Sequence, residues 1–186
     1  MNDTDARRRN HWVSHIARHA HEKPGGVYLR FEGGSVTWAQ LHGRVGGLAA
    51  ALRERGVRAG DRVAIMMTNR PEFLETMFAA SAIGAIVVPV NFRLAPDEIA
   101  YILTDSGASL LVVEEATAAA APRRSWRRPP SARRPAPGPR ARTRSASYRP
   151  VASKGPIHGF RYRLRRPGAG RIIDHGQAPL YVHHVA

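Results

Sequence analysis

Between Val27 and Val113 the apolar residues recur in two alternating spacings, one suited to strands and one to helix faces. Val27-Tyr28-Leu29-Arg30-Phe31 reads as a strand, Glu32-Gly33-Gly34-Ser35 as a turn, and Val36-Thr37-Trp38 as the return of a hairpin. Thr37 and Gln40 have the spacing of a capping box, and Leu41, Val45, Leu48, Ala49 and Leu52 then mark one helix face up to a stop at Gly56. Gly43, Gly46 and Gly47 each weaken that helix by nearly ~1 kcal/mol relative to Ala, so they mark either close packing or weak spots. Gly60-Asp61 turns into Arg62-Val63-Ala64-Ile65-Met66-Met67, an unbroken apolar run that fits a strand covered on both faces. Asn69 can cap a helix that Pro71 starts, with Phe73, Leu74, Met77, Phe78 and Ser81 along its inner face and Gly84 at its end.

Ala85-Ile86-Val87-Val88-Pro89 reads as the next strand. Pro96-Asp97-Glu98 opens a helix, with its acids at the positive end of the dipole, Ile99, Ile102 and Leu103 on one face, and Gly107 as its stop. Ser109-Leu110-Leu111-Val112-Val113 is the last strand expected, and Trp12, Val13 and Ile16 suggest a short helix upstream. Strand, helix, strand, helix, strand with short turns requires right-handed crossovers. The expected fold class is therefore α/β, a partial parallel sheet with flanking helices.

After Glu115 the pattern dissolves into an alanine run and then into Arg-Arg, Pro-Pro and Ala-Pro steps. Residues 1–121 hold thirteen Lys and Arg against thirteen Asp and Glu, whereas residues 122–186 hold sixteen against one, Asp174. The entire net charge of +15 therefore lies in the second segment. Ten of the fourteen prolines lie there too, a spacing that neither a helix nor a central strand can carry. Ile172-Ile173 and Leu180-Tyr181-Val182 are its apolar clusters near the end, too short for a core. The division expected is a globular unit over residues 10–115 and a disordered, Arg/Pro-rich basic tail over residues 116–186.

This division limits the functions to consider. A unit of this size can bury one modest core, and its neutral charge gives no electrostatic case for nucleic acid. The chain has no cysteine, so disulfides and thiolate metal sites are excluded. Met1-Asn2-Asp3-Thr4-Asp5 and Arg7-Arg8-Arg9 lead into no apolar stretch, which argues against a secretory signal and makes the cytoplasm the expected location. The most apolar run, residues 82–90, is about half a membrane span and contains Gly84 and Pro89, so no transmembrane segment is expected.

Four blocks carry a family resemblance: Val36-Thr37-Trp38-Ala39-Gln40-Leu41, Gly60-Asp61-Arg62-Val63-Ala64-Ile65, Asn69-Arg70-Pro71-Glu72 and Gly84-Ala85-Ile86-Val87-Val88-Pro89-Val90-Asn91. Together they resemble the opening of AMP-forming acyl-CoA synthetases, the adenylate-forming ligases, and are most similar to fatty-acid–CoA ligases. The resemblance covers about residues 10 to 115 and implies the N-terminal part of the family's large domain. It implies a family reaction in which ATP activates a carboxylic acid to an acyl-adenylate and the acyl group then passes to coenzyme A. Fatty acid, ATP, Mg2+ and coenzyme A are the substrates and cofactors that it implies for the family, on a chain well over twice this length. The matched residues themselves have structural explanations: Gly60-Asp61 is a turn, Pro71 starts a helix, Gly84 stops one, and Pro89 suits a strand edge or end.

Adenylation concentrates negative charge on the α-phosphate, which backbone amides and a cation must stabilise. The resemblance implies a Gly/Ser/Thr-rich loop ending in Pro-Lys-Gly for that task, and the sequence has no such loop. Its two lysines are Lys23 and Lys154. Ser153-Lys154-Gly155 keeps a Lys-Gly pair, but Tyr148-Arg149-Pro150-Val151-Ala152 precedes it in place of glycines. Gly33-Gly34-Ser35 lacks the strand-to-helix context of a phosphate cradle. His11, His15 and His19 would share one helix face with His21 nearby, and read as a solvated polar face rather than metal ligands. His183-His184 and Asp174-His175 could bind metal adventitiously, against a large ordering cost. No catalytic, cofactor-binding or metal-ligating residue is therefore assigned, no cofactor is expected for these residues alone, and no ligase turnover is expected from the chain by itself.

Two readings of the basic tail follow from its composition. With Trp126, Tyr148, Phe160, Tyr162 and Tyr181 interspersed among its charges, it could bind nucleic acid non-specifically, which gives the alternative of a small α/β module with an Arg-rich binding arm. Arg, Pro, Ala and Gly make up 39 of its 65 residues, however, and their codons are GC-rich, as an out-of-frame GC-rich gene would be. The favoured reading is a change of frame near residues 116 to 122, which the nucleotide sequence tests directly. A truncated parallel sheet would also leave apolar faces and a strand edge uncovered, so self-association is expected.

Overall fold

The computed structural model of the chain describes residues 11–122, 171–174 and 179–184. Trp12–Glu22 forms helix α1, and Val27–Phe31 and Gly34–Thr37 form strands β1 and β2. The two strands pair antiparallel across Glu32 and Gly33, whose φ values are 47° and 79°. Positive φ at both central residues is the mirror-image turn whose twist matches that of a hairpin.

Helix α2, Trp38–Glu54, starts with the capping box that the spacing implies. Thr37 Oγ1 accepts from the Gln40 amide at 3.3 Å, and Gln40 Oε1 accepts from the Thr37 amide at 2.9 Å. Leu41, Val45, Leu48, Ala49 and Leu52 are all buried, joined by His42 and Ala51. Strand β3 (Arg62–Met66), helix α3 (Pro71–Ala82), strand β4 (Ile86–Pro89), helix α4 (Pro96–Ser106), strand β5 (Ala108–Glu114) and the short helix α5 (Glu115–Ala118) follow in order.

β3 lies between β4 and β5 and is parallel to both, which makes it the central strand of a parallel three-strand unit. Because side chains alternate across a strand, Val63 and Ile65 join the core beneath α1, α2 and α3, while Ala64 and Met66 join a second core with Ile99 and Leu103 of α4. The near-continuous apolar run of β3 is thus covered on both faces. Pro89, which has no amide to donate, closes β4 at the outer edge of the sheet.

Helix α4 ends as its glycine implies. Gly107 sits at φ 62°, in the left-handed region, and a Cβ built there would lie 2.5 Å from Arg62 Nη2. The Arg62 guanidinium is held in place by its Nε, which donates to the Ser106 carbonyl at 2.8 Å. Gly107→Ala should therefore cost about 1–2 kcal/mol from backbone strain alone, read as a lower urea midpoint at unchanged slope.

Two features depart from the sequence reading. Helix α3 is capped by Arg70 rather than Asn69, with no side-chain cap bond, and Asn69 is exposed. Its most deeply buried residues are Glu72, Glu75, Thr76, Phe78, Ala79 and Ala80, while Phe73, Leu74 and Met77 are half-buried at the margin of the core. Apolar periodicity alone misses this because the buried glutamates are paired with arginines, Glu72 with the neighbouring Arg70 and Glu75 with Arg44 on α2.

The second departure is confined to two short segments, residues 171–174 and 179–184. Arg171–Asp174 and Pro179–His184 are strands β6 and β7, and the sheet order is β4-β3-β5-β7-β6. β7 pairs antiparallel with β5, from Leu110 opposite His184 to Glu114 opposite Leu180, and β6 pairs antiparallel with β7. Disorder was the expectation for these two segments because a short β-branched or aromatic run has no stability alone; an existing sheet edge supplies the missing partner. The remainder of the basic tail, residues 123–170, 175–178 and 185–186, lies outside the described residues.

Candidate functional site at the carboxyl edge of the sheet

In open α/β sheets ligands bind beyond the carboxyl ends of the parallel strands, where loops and helix N-termini converge. Here that edge is built from Met67-Thr68-Asn69-Arg70 after β3, Val90-Asn91-Phe92-Arg93 after β4, and the corner where β5 meets α5. Pro71 at the first turn of α3 fixes where the chain turns, and this brings Arg70 back over the end of β5.

Arg70 is held by two carboxylates. Its Nε donates to Glu72 Oε2 at 2.8 Å and its Nη2 to Glu72 Oε1 at 3.3 Å, while Nη1 donates to Glu114 Oε2. The other Glu114 oxygen accepts the Thr68 amide. The side chains of Glu72 and Glu114 are only 5% and 4% exposed, so an arginine with this fork geometry is what makes their burial tolerable. Thr117 adds a second tie, its hydroxyl donating to the Met66 carbonyl at 2.8 Å, and Thr76 Oγ1 donates to the Glu72 carbonyl at 2.7 Å. The β5–α5 corner therefore grips the end of β3 at three successive points: the Met66 carbonyl, the Thr68 amide and the Arg70 side chain.

The electrostatics follow from these contacts. Burial alone would raise the Glu114 pKa, but the Thr68 amide and the Arg70 guanidinium outweigh it and hold that carboxyl below its usual range. Hydrogen bonding to Glu72 raises the Arg70 pKa against the effect of burial. Between α2 and α3, Arg44 Nη1 donates to Glu75 Oε1 at 2.9 Å, yet burial still pushes the Glu75 carboxyl up. A carboxyl whose folded pKa is depressed stabilises the fold above its unfolded value, and this is lost as pH falls through the folded value. Glu114→Gln should thus lower stability at neutral pH by about 1.5–3 kcal/mol, for loss of charge-assisted hydrogen bonds. It should also flatten the decline in acid, which urea titrations at neutral pH and at pH 3 would show. Glu75 has the opposite sign: its contribution is largest below its unfolded pKa and falls as pH rises through the folded one.

The remaining candidates from the sequence are dispersed. His11 caps α1 and accepts from the Val13 amide, His15 Nδ1 lies 3.1 Å from Arg18 Nη2, and His19 packs against Trp38 with the rings tilted by 49° and their centroids 4.5 Å apart. Among the described residues no group of three or more His, Asp or Glu is placed to hold a metal ion. Lys23 lies 5.8 Å from the centre of the Trp38 ring, and Gly33-Gly34-Ser35 belongs to the β1–β2 turn region. Ser153-Lys154-Gly155, Tyr148–Ala152 and His175 lie outside the described residues, as do Trp126, Phe160 and Tyr162; His183 and His184 fall at the end of β7. The Arg70–Glu72–Glu114 clasp was missed by sequence reasoning. Its local half, Arg70-Pro71-Glu72, is visible, but nothing in the sequence ties it to Glu114, 44 residues away.

Comparison with known proteins agrees with this architecture. The family model described as "AMP-binding enzyme" matches residues 16–151, most of the chain, so the chain belongs to the AMP-binding enzyme family. It is 47% identical over 95 residues to a feruloyl-CoA synthase of Amycolatopsis sp, covering 51% of this chain and 19% of that one. It is 39% identical over 77 residues to the long-chain-fatty-acid–CoA ligase FadD13 of Mycobacterium tuberculosis, covering 41% of this chain and 15% of that one. Among solved structures, the N-terminal subdomain of NpsA from Klebsiella oxytoca superposes with a TM-score of 0.56 at 30% identity, covering 62% of this chain and 30% of that one. The chain spans about a fifth of the length of the curated relatives it matches.

Proposed function

We propose that this chain carries the N-terminal scaffold of an AMP-forming acid–CoA ligase, and that adenylation requires residues it does not supply. The observation that carries the reading is a coincidence of extents. The family match over residues 16–151 takes in every described element from Ile16 of α1 to α5, and those elements form the parallel unit superposable on the NpsA N-terminal subdomain. In such a ligase the acid's carboxylate oxygen attacks the α-phosphorus of ATP with loss of pyrophosphate, and the thiol of coenzyme A then displaces AMP. ATP would need cations and backbone amides free to face phosphate, and Mg2+ would need oxygen ligands. Arg70, at the carboxyl end of β3, already serves Glu72 and Glu114, so the clasp does not fit a phosphate and no step is assigned to it.

The fatty-acid type is the finer form of this reading, resting on the likeness to FadD13; the likeness to feruloyl-CoA synthase extends it to aromatic acids. No helix among the described residues is long and apolar enough to cross a membrane, and a cytoplasmic location is part of the proposal. A graft tests the scaffold role. Residues 16–115 should replace their counterpart in the feruloyl-CoA synthase with kcat/KM retained to within about tenfold, a loss of about 1.4 kcal/mol at most in transition-state stabilisation. A graft that folds but loses turnover by several orders of magnitude would contradict it.

A further inference from the structure

The chain reverses its direction of travel across the sheet between β3 and β5. From β3 it passes through α3 on one face to β4, and from β4 through α4 on the opposite face to β5, on the far side of β3. In a doubly wound sheet the crevice for ligands opens between the carboxyl ends of the two strands at such a reversal. Here those ends are level. Met66 stands opposite Val113 in the ladder, so the crevice is bounded by Thr68 and Arg70 beyond β3 and by Glu114 at the end of β5. What occupies it is a carboxylate. One Glu114 oxygen accepts the Thr68 amide and the other accepts Arg70 Nη1, so two donors meet the two oxygens of one planar anion. With its side chain 4% exposed, Glu114 fills this receptor from within the chain.

We propose that the crevice between the carboxyl ends of β3 and β5 is a binding site for a small carboxylate, closed in this chain by Glu114 standing in as the ligand. The donors do not depend on Glu114 for their placement. Arg70 keeps two bonds to Glu72, and the Thr117 hydroxyl holds the Met66 carbonyl two residues before Thr68. The class of ligand follows from charge and size. Arg70 already offsets the buried Glu72, so a monoanion reproduces the present occupant, whereas a dianion such as sulfate brings a further negative charge into a buried place. Truncating Glu114 at Cβ vacates the space of one methylene and one carboxylate, which suits formate and excludes acids with longer chains. The inference goes beyond the ligase reading and does not depend on it.

Glu114→Ala in the full chain vacates the site, and sodium formate is the probe. In ~0.1 M formate the folding constant of this variant should rise about tenfold over its value in sodium chloride of the same strength, as for a ligand bound at about 10 mM. That affinity lies below the ceiling of about 1.5 kcal/mol per heavy atom for a three-atom ligand. The unsubstituted chain, and Glu114→Gln with an amide filling the same space, should respond less than about twofold to the same change of salt. The Thr68 amide resonance of the alanine variant should shift with formate and saturate over the same concentrations. Should Glu114→Ala stay unfolded in chloride, refolding from urea in formate is the same result in a stronger form. No response of the alanine variant, folded or unfolded, overturns the proposal, as does a response shared by all three chains. A gain in sulfate as large as that in formate, after subtraction of the gain in the unsubstituted chain, overturns the assignment to carboxylates.

Discussion

Arg70→Met is expected to be among the most damaging single changes in the described residues, at about 3–5 kcal/mol. The reason lies in what remains behind: Glu72 and Glu114 are buried, and the substitution leaves both without their common cation. Loss of the fork also frees the β3–α3 loop from the end of β5, since Arg70 and the Thr68 amide share the Glu114 carboxylate. Arg70→Lys should recover part of the loss and no more, because an ammonium supplies the charge but cannot address both Glu72 oxygens as a planar fork does. The triple change Arg70→Met/Glu72→Gln/Glu114→Gln should cost less than Arg70→Met alone, since it removes the stranded charges with their partner. Urea unfolding followed by circular dichroism gives the comparison; a loss below 1 kcal/mol for Arg70→Met, or a triple variant less stable than the single one, would contradict the clasp.

Leu48→Ala is expected to cost about 2–5 kcal/mol through the cavity it leaves. Leu48 is fully buried in the core shared by α2, α3 and the sheet, together with Val45, Leu52 and Ile65. Alanine is the better helix former, so intrinsic propensity offsets a small part of the loss and the measured value is a lower bound on the packing contribution. Stability with this variant should fall with no change in the urea slope; a loss within 0.5 kcal/mol would mean that α2 does not seal the core. Against the 5–15 kcal/mol total of an ordinary domain, either substitution removes a large share of the fold's margin.

The order of elements was legible because each is marked by local chemistry. The Thr37/Gln40 capping box, the glycines at positions 56, 84 and 107 and the two-faced run of β3 all act within a few residues of where they stand. Features that depend on distant partners were not legible. Helix α3 buries Glu75, which an apolar count places on the wrong face, because Arg44 reaches it from α2, 31 residues away. Pairing of Glu114 with Thr68 and Arg70 spans more than forty residues, and the β7 strand finds its register only on the edge of β5. The composition of residues 122–186 gave no hint that two strands from that segment join the sheet, nor that the family match runs on to residue 151. The four blocks that carried the family resemblance fall on the start of α2, the turn into β3 with most of that strand, the start of α3, and β4 with its flanking turns.

The central claim is that the described residues build the ligase family's first sheet unit while its carboxyl edge is closed by ion pairs rather than prepared for phosphate. ATP–pyrophosphate exchange by the purified chain, with Mg2+ and a panel of fatty and aromatic acids, tests it most directly. No exchange above that of a mock purification is expected with any acid. Exchange that follows the protein through successive columns and disappears on heat unfolding would contradict it.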